Sequence, residues 1–161
     1  MKKLILIAVA VLGFSAAANA QLYLGGTAMI NANGAAQTST IQILPEIGYN
    51  INKHWAVGGS IGIVSRRTGT VTGTNFQFAP YARYNWLQLG PVRLFADLQF
   101  AIAAGGGGTT WDIGAYPGIA FAATKHVTFL SRIGALSYNS GGTFSAGVDL
   151  SALAIGVYYA F

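Results

Sequence analysis

The sequence predicts an all-β fold, an eight-stranded antiparallel up-and-down barrel. Three observations predict it. Apolar residues alternate with small or polar ones at period two through most of the chain after residue 20. Clusters of Gly, Asn, Ser and Thr interrupt that alternation at hairpin spacing. The charges inside the alternating stretches share one parity, opposite to that of the apolar residues.

The chain opens differently. Lys2-Lys3 precede an apolar run from Leu4 to Phe14 and the small-residue triplet Ala18-Asn19-Ala20. This is the pattern of a secretory signal peptide, with cleavage expected before Gln21. The run is shorter than the roughly 20 residues of a spanning helix. The expected organisation is a signal peptide at 1–20 and one β-barrel domain at 21–161. Removing Lys2 and Lys3 leaves seven basic residues against four acidic, a formal +3. Those charges are scattered along a secreted chain, which excludes a nucleic-acid partner.

Cysteine is absent, so no disulfide staples the domain. Charged residues make up 8% of the chain, against about 25% in ordinary globular domains. After Phe14 no apolar run approaches spanning length. Few charges, many Gly and aromatic residues and no helical span fit a barrel that crosses a membrane with strands.

The eight strands are expected near 21–31, 39–51, 54–66, 74–87, 91–104, 110–122, 125–138 and 143–161. Most exceed soluble strand length and suit a tilted span of about 9–11 residues with overhang. An even strand number puts both termini on one side, expected to be the periplasm. The connections on that side are then Asn52-Lys53, Gln88-Leu89-Gly90 and Ala123-Thr124. The outward ones are Asn31–Thr38, Arg66–Thr74, Gly105–Thr109 and Asn139–Gly142.

A hairpin-length repeat runs through the chain. Pro45-Glu46-Ile47-Gly48-Tyr49, Pro80-Tyr81-Ala82-Arg83-Tyr84 and Pro117-Gly118-Ile119-Ala120-Phe121 share Pro-x-apolar-x-aromatic. In addition, Lys53-His54 matches Lys125-His126, Ile61-Gly62 matches Ile133-Gly134, and Ser65 matches Ser137. Duplication and similar constraints explain this equally well. Proline cannot donate to a ladder, so a bulge or unpaired position is expected at each of the three.

Parity then assigns the faces. Ile41, Ile43, Ile47, Tyr49 and Ile51 oppose Gln42, Glu46 and Asn50. Phe76, Phe78, Ala82, Tyr84 and Trp86 oppose Gln77, Arg83 and Asn85. Val92, Leu94, Leu98, Phe100 and Ile102 oppose Arg93, Asp97 and Gln99. Trp111, Ile113, Ile119 and Phe121 oppose Asp112 and Tyr116; Val127, Phe129 and Ile133 oppose Thr128 and Arg132. Glu46, Arg83, Arg93, Asp97, Asp112 and Arg132 all take the non-apolar side, an outcome of about one in 64 for random parity. A basic residue facing mid-bilayer lipid costs roughly 2–4 kcal/mol. A soluble barrel would reverse the arrangement, so the pattern predicts lipid outside and charge within.

Tyr49, Trp55, Tyr84, Trp86, Phe121, Tyr159 and Phe161 cluster at the expected periplasmic ends and form a candidate interfacial girdle. Phe76, Trp111 and Phe144 would form a thinner outer one. Eight strands enclose a lumen that side chains can just fill. Glu46, Arg83, Asp97 and Arg132 fall at similar depth and are the candidate lumen charge network, their signs pairing because an isolated buried charge is costly.

Catalytic readings find little support. His54 and His126 follow the lysines of two short turns. His126-Val127-Thr128 faintly resembles the His-x-Ser pair of lipid A deacylases, but it has Thr for Ser and lies at the periplasmic end. No carboxylate is placed to orient either ring. Gly105–Gly108 lacks the Gly-Lys-Ser/Thr ending of a phosphate loop. Metal-ligand spacing is absent. No catalytic residue, metal or cofactor is assigned. Lys53 and Lys125 are placed to touch lipid phosphates.

Pro45-Glu46-Ile47-Gly48-Tyr49, Asn52-Lys53-His54-Trp55-Ala56-Val57-Gly58, Arg83-Tyr84 and the ending Gly156-Val157-Tyr158-Tyr159-Ala160-Phe161 carry a resemblance to a known family. The chain from residue 21 resembles the small eight-stranded outer-membrane β-barrels, OmpX/OmpA-like, in particular the outer membrane protein beta-barrel domain proteins of Bacteroidetes type. The resemblance implies a Gram-negative outer-membrane location. It also implies contact with outer-membrane lipids and recognition of Tyr159 and Phe161 as a C-terminal assembly signal by the barrel-insertion machinery. No peptidoglycan-binding domain is expected after Phe161. The expected function is non-enzymatic, supporting envelope integrity or surface interaction with an unspecified ligand. A narrow porin-like channel for small solutes is the alternative, and a lipid-modifying enzyme ranks last.

Overall fold

A computed structural model describes residues 21–33, 37–106, 108–148 and 154–161. The expected signal peptide at 1–20 lies outside the described residues, as does Gly34-Ala35-Ala36 of the first outward connection. The chain forms β1 (Gln21–Asn33), β2 (Thr38–Asn50), β3 (Trp55–Thr68), β4 (Val71–Leu89), β5 (Val92–Gly105), β6 (Gly108–Ala122), β7 (Val127–Arg132), β8 (Gly134–Asn139), β9 (Phe144–Val148) and β10 (Ala154–Ala160).

These segments build an eight-strand antiparallel barrel. Strands β1 to β6 each pair with the next. β7 and β8 both pair with β6 and make up the seventh stave. β9 pairs with β8 and β10 with β7, so together they fill the eighth. Pairing of β10 with β1, from Tyr23↔Ala160 to Ala28↔Ile155, closes the cylinder.

All three strand prolines sit where a ladder lapses. The β2–β3 ladder skips Leu44 and Pro45, and the β4–β5 ladder skips Ala79 and Pro80. At Pro117 the β6 pairing jumps from Gly118↔Arg132 to Ala115↔Leu136, a one-residue register shift taken up at Ile133. The Ile133 amide still donates to the Pro117 carbonyl at 2.9 Å. A missing N–H thus becomes a break in pairing on one side only, which a closed sheet tolerates. A second bulge lies at Trp86, between Asn85↔Phe95 and Leu87↔Leu94.

Several expected connections are shorter than the sequence suggested: Asn31–Thr38 and Gly105–Thr109 are trimmed by the pairs Ala32↔Ser39, Asn33↔Thr38, Ala104↔Thr109 and Gly105↔Gly108, and two others change more. Arg66–Thr74 is not an outward loop: Arg66↔Gly73, Arg67↔Thr72 and Thr68↔Val71 continue the ladder. The reversal shrinks to Gly69-Thr70, where Gly69 takes φ +61°. Likewise Gln88 and Leu89 pair with Arg93 and Val92, and the turn falls at Gly90-Pro91 with Gly90 at φ +58°. β4 is consequently 19 residues long.

Two turns at the terminal end are built alike. In one, Asn52 Oδ1 accepts from the amides of His54 (2.8 Å) and Trp55 (2.9 Å). In the other, Thr124 Oγ1 accepts from those of His126 (3.2 Å) and Val127 (2.9 Å). Both are side-chain-to-backbone turns of the Asx and Ser/Thr kind. Both also latch to a following strand through the histidine. His54 Nδ1 lies 3.0 Å from the Asn85 carbonyl, and His126 Nδ1 lies 2.8 Å from that of Ala160.

The wall is inverted relative to a water-soluble barrel. Ile43, Ile47, Ile61, Phe78, Leu98, Ile113 and Ile155 are exposed on the outside, with Ile43 61% and Leu98 60% accessible. On the other parity Glu46, Arg83, Asp97 and Gln99 are buried. Among the described residues the large exposed apolar side chains far outnumber the buried ones, beyond the isolated exposures of ordinary soluble domains.

Candidate functional site: the filled lumen

The lumen is crossed at mid-height by side chains from six staves. Pairing register puts Arg83 on β4 directly opposite Asp97 on β5. Both point inward because they share parity with Tyr81 and Phe95. Arg83 forks onto Asp97, with Nε 2.6 Å from Oδ1 and Nη2 2.9 Å from Oδ2. Arg132 on β7 approaches the same carboxylate from the far side, with Nη2 2.8 Å and Nε 3.1 Å from Oδ2. Arg83 Nη2 lies 3.9 Å from Oε1 of Glu46 on β2. The structure therefore brings Glu46, Arg83, Asp97 and Arg132 into one chain of alternating sign. The Asp97 side chain is 0% exposed, and that of Arg132 is 15% exposed.

Aromatic rings complete the barrier. Tyr158 donates its hydroxyl to Glu46 Oε2 at 2.7 Å, and the hydroxyls of Tyr23 and Tyr81 meet at 2.5 Å. The Arg83 guanidinium carbon lies 4.4 Å from the Phe95 ring centre and 5.1 Å from that of Tyr81, within cation–π range. Inward glycines make the room. A Cβ at Gly48 would strike the Tyr23 ring, one at Gly58 the Tyr81 ring, one at Gly25 the Tyr158 ring and one at Gly118 the Phe95 ring.

Tyr23, Tyr81, Phe95 and Tyr158 escape a reading that treats aromatics as girdle residues. Their signal is present all the same, since each sits on the polar parity. Asp112 and Arg93 share that parity but stand apart from the charge chain. Asp112 accepts from the Tyr116 hydroxyl. Arg93 has no ion-pair partner among the described residues.

Above and below the barrier the lumen opens into two mouths. The mouth at the terminal end holds about 770 Å³ and the opposite one about 1370 Å³. Among the described residues no side chain lines both.

The girdle candidates Trp55, Tyr84, Trp86, Phe121, Tyr159 and Phe161 are exposed on the outer wall at the terminal end, and Tyr49 is half-buried there. Trp55 packs on Tyr84 at 4.8 Å and Tyr159 on Phe161 at 5.2 Å between ring centres. At the other end Trp111 meets Tyr138 at 6.0 Å and Phe100 at 6.5 Å. Neither histidine ring is hydrogen-bonded to a carboxylate among the described residues; each is held by a backbone carbonyl. Among the described residues no group of His, Asp or Glu is arranged to hold a metal ion.

No protein-family model and no curated protein matches the chain. Among solved structures, the crystal structure of Neisserial surface protein A (NspA) is similar, with a TM-score of 0.51 at 18% identity. The match covers 88% of this chain and 96% of that one. The likeness extends to the fold: this chain shares the eight-strand antiparallel barrel architecture.

Proposed function

We propose that the protein is an integral outer-membrane β-barrel with a side-chain-filled lumen and a non-enzymatic role in envelope integrity or surface interaction. The observation that carries this reading is the inverted wall: apolar side chains face outward around the cylinder while an ionised cluster is sealed inside it. Lipid is the solvent in which that arrangement is stable. Exposed Trp and Tyr near both ends of the wall agree with the enrichment of these residues at membrane–water interfaces. The similar structure is that of a surface protein, which agrees with a surface role.

In this reading the terminal end faces the periplasm, residues 1–20 direct secretion, and the insertion machinery reads Tyr159 and Phe161. The two lumen mouths are where a narrow-channel reading would begin, and their lack of a shared lining residue weighs against it.

Planar-bilayer recording tests the filled lumen. The refolded protein is expected to give no resolved conductance steps in concentrated KCl. Large, stable openings from the unaltered protein would rule the proposal out.

A further inference from the structure

The mouth at the terminal end is cationic. Lys53 and Lys125 stand at its rim, Arg93 on its wall and Arg83 at its floor. Among the described residues no Asp or Glu lines it. Arg83 is committed to Asp97 and Glu46. Arg93 is committed to nothing: it forms no ion pair among the described residues, and its Nε is buried without a hydrogen-bond partner. A guanidinium held beside another cation with an unused buried donor is costly unless an anion completes it.

The placement of the lysines is also specific. They belong to the two matching turns, pinned by Asn52 and Thr124 and latched by His54 and His126. Those turns join the second to the third stave and the sixth to the seventh, on opposite sides of the ring. Arg93 rises between them on the fifth stave. Gln88 and Thr128 add neutral polar groups to the wall, while Phe95 and Leu130 give it an apolar base. The volume, about 770 Å³, is that of a small-molecule site.

We propose that this mouth is a binding site for a phosphate-bearing anion, with the Arg93 guanidinium as the principal contact and Lys53 and Lys125 closing over the charge from opposite sides. The planar guanidinium fork suits two phosphate oxygens at once, and the ammonium groups act as point charges around it. A soluble phosphate compound and a lipid phosphate headgroup curling over the rim offer the same chemistry.

The test is titration calorimetry of the refolded protein with inorganic pyrophosphate at constant ionic strength. A second arm reconstitutes the protein in phosphatidylcholine vesicles and compares the association of trace spin-labelled phosphatidic acid with that of trace spin-labelled phosphatidylcholine. Arg93→Gln is expected to weaken binding roughly tenfold or more, as loss of a charge-assisted bidentate contact should. Arg93→Lys should recover part of it by restoring the charge without the fork. Lys53→Gln with Lys125→Gln should weaken it further, while Arg66→Gln, at the opposite mouth, should leave it unchanged. Pyrophosphate binding with this pattern assigns the site to a soluble ligand. Binding confined to phosphatidic acid, with the same pattern, assigns it to a headgroup. No binding in either arm, or binding that Arg93→Gln leaves intact or that Arg66→Gln weakens equally, overturns the proposal. Far-ultraviolet circular dichroism identifies any variant that fails to fold, and Arg93→Lys then supplies the comparison.

Discussion

Replacing Asp97 by Ala strikes the barrier at the point on which it converges. That one carboxylate takes four guanidinium hydrogen bonds, at 2.6, 2.9, 2.8 and 3.1 Å. Without it, Arg83 keeps one ion pair among the described residues, with Glu46 at 3.9 Å, and Arg132 loses its one ion pair among the described residues. Breaking a buried pair by removing one partner costs about 3–5 kcal/mol, because the other charge stays buried and uncompensated. The Arg83 side chain is 8% exposed, so its share lies near the top of that range. Arg132, more open to its mouth, recovers some hydration and adds less. A loss of about 4 kcal/mol is expected, roughly a thousandfold in the folding equilibrium. Reversible urea unfolding in phosphatidylcholine vesicles, followed by tryptophan fluorescence, measures it. The quadruple variant Glu46→Gln, Arg83→Met, Asp97→Leu, Arg132→Met, which leaves no buried charge behind and keeps an acceptor for Tyr158, should return to within about 1 kcal/mol of the parent or exceed it, since a well-packed neutral filling replaces the ions. A change below about 1 kcal/mol in Asp97→Ala alone would mean that water screens these pairs as at a surface, and would refute the sealed interior.

Other perturbations test neighbouring parts of the same picture. Tyr158→Phe removes the 2.7 Å donor to Glu46 Oε2 and should cost about 1–3 kcal/mol in the same unfolding assay, as an acceptor is left unsatisfied. Leu98→Arg places a charge on the outer wall beside the level of Asp97. It should cost roughly 2–4 kcal/mol in vesicles, while Val71→Arg near the rim should cost no more than about 1 kcal/mol.

Much of the architecture was legible because a barrel wall obeys one rule along its whole length. Period-two alternation located every stave, and the ionised residues marked the inside. The three prolines announced their ladder breaks through the donor they lack. Legibility failed where pairing competes with composition. Arg66–Thr74 reads as a loop from its Gly, Thr and Arg content, but cross-strand hydrogen bonds carry it as strand to within a two-residue turn at Gly69-Thr70. Ile133, placed by parity on the outer face, is half-buried at the register shift forced by Pro117. The barrier was only half visible. Parity exposed its charges, but the rings of Tyr23, Tyr81, Phe95 and Tyr158 depend on glycines of neighbouring staves. That pairing is a contact between staves, which a single strand read alone does not reveal. The division of the lumen into two mouths is likewise a property of assembled side chains.

The inverted wall is open to direct measurement because the chain has no cysteine of its own. Single cysteines introduced along β5, labelled with a fluorophore and reconstituted with brominated phosphatidylcholine, report contact with acyl chains. Labels at Leu94, Leu98, Phe100 and Ile102 should be strongly quenched, and labels at Phe95, Gln99 and Ala101 should not. Quenching without that two-residue alternation, or the reverse alternation, would contradict the account.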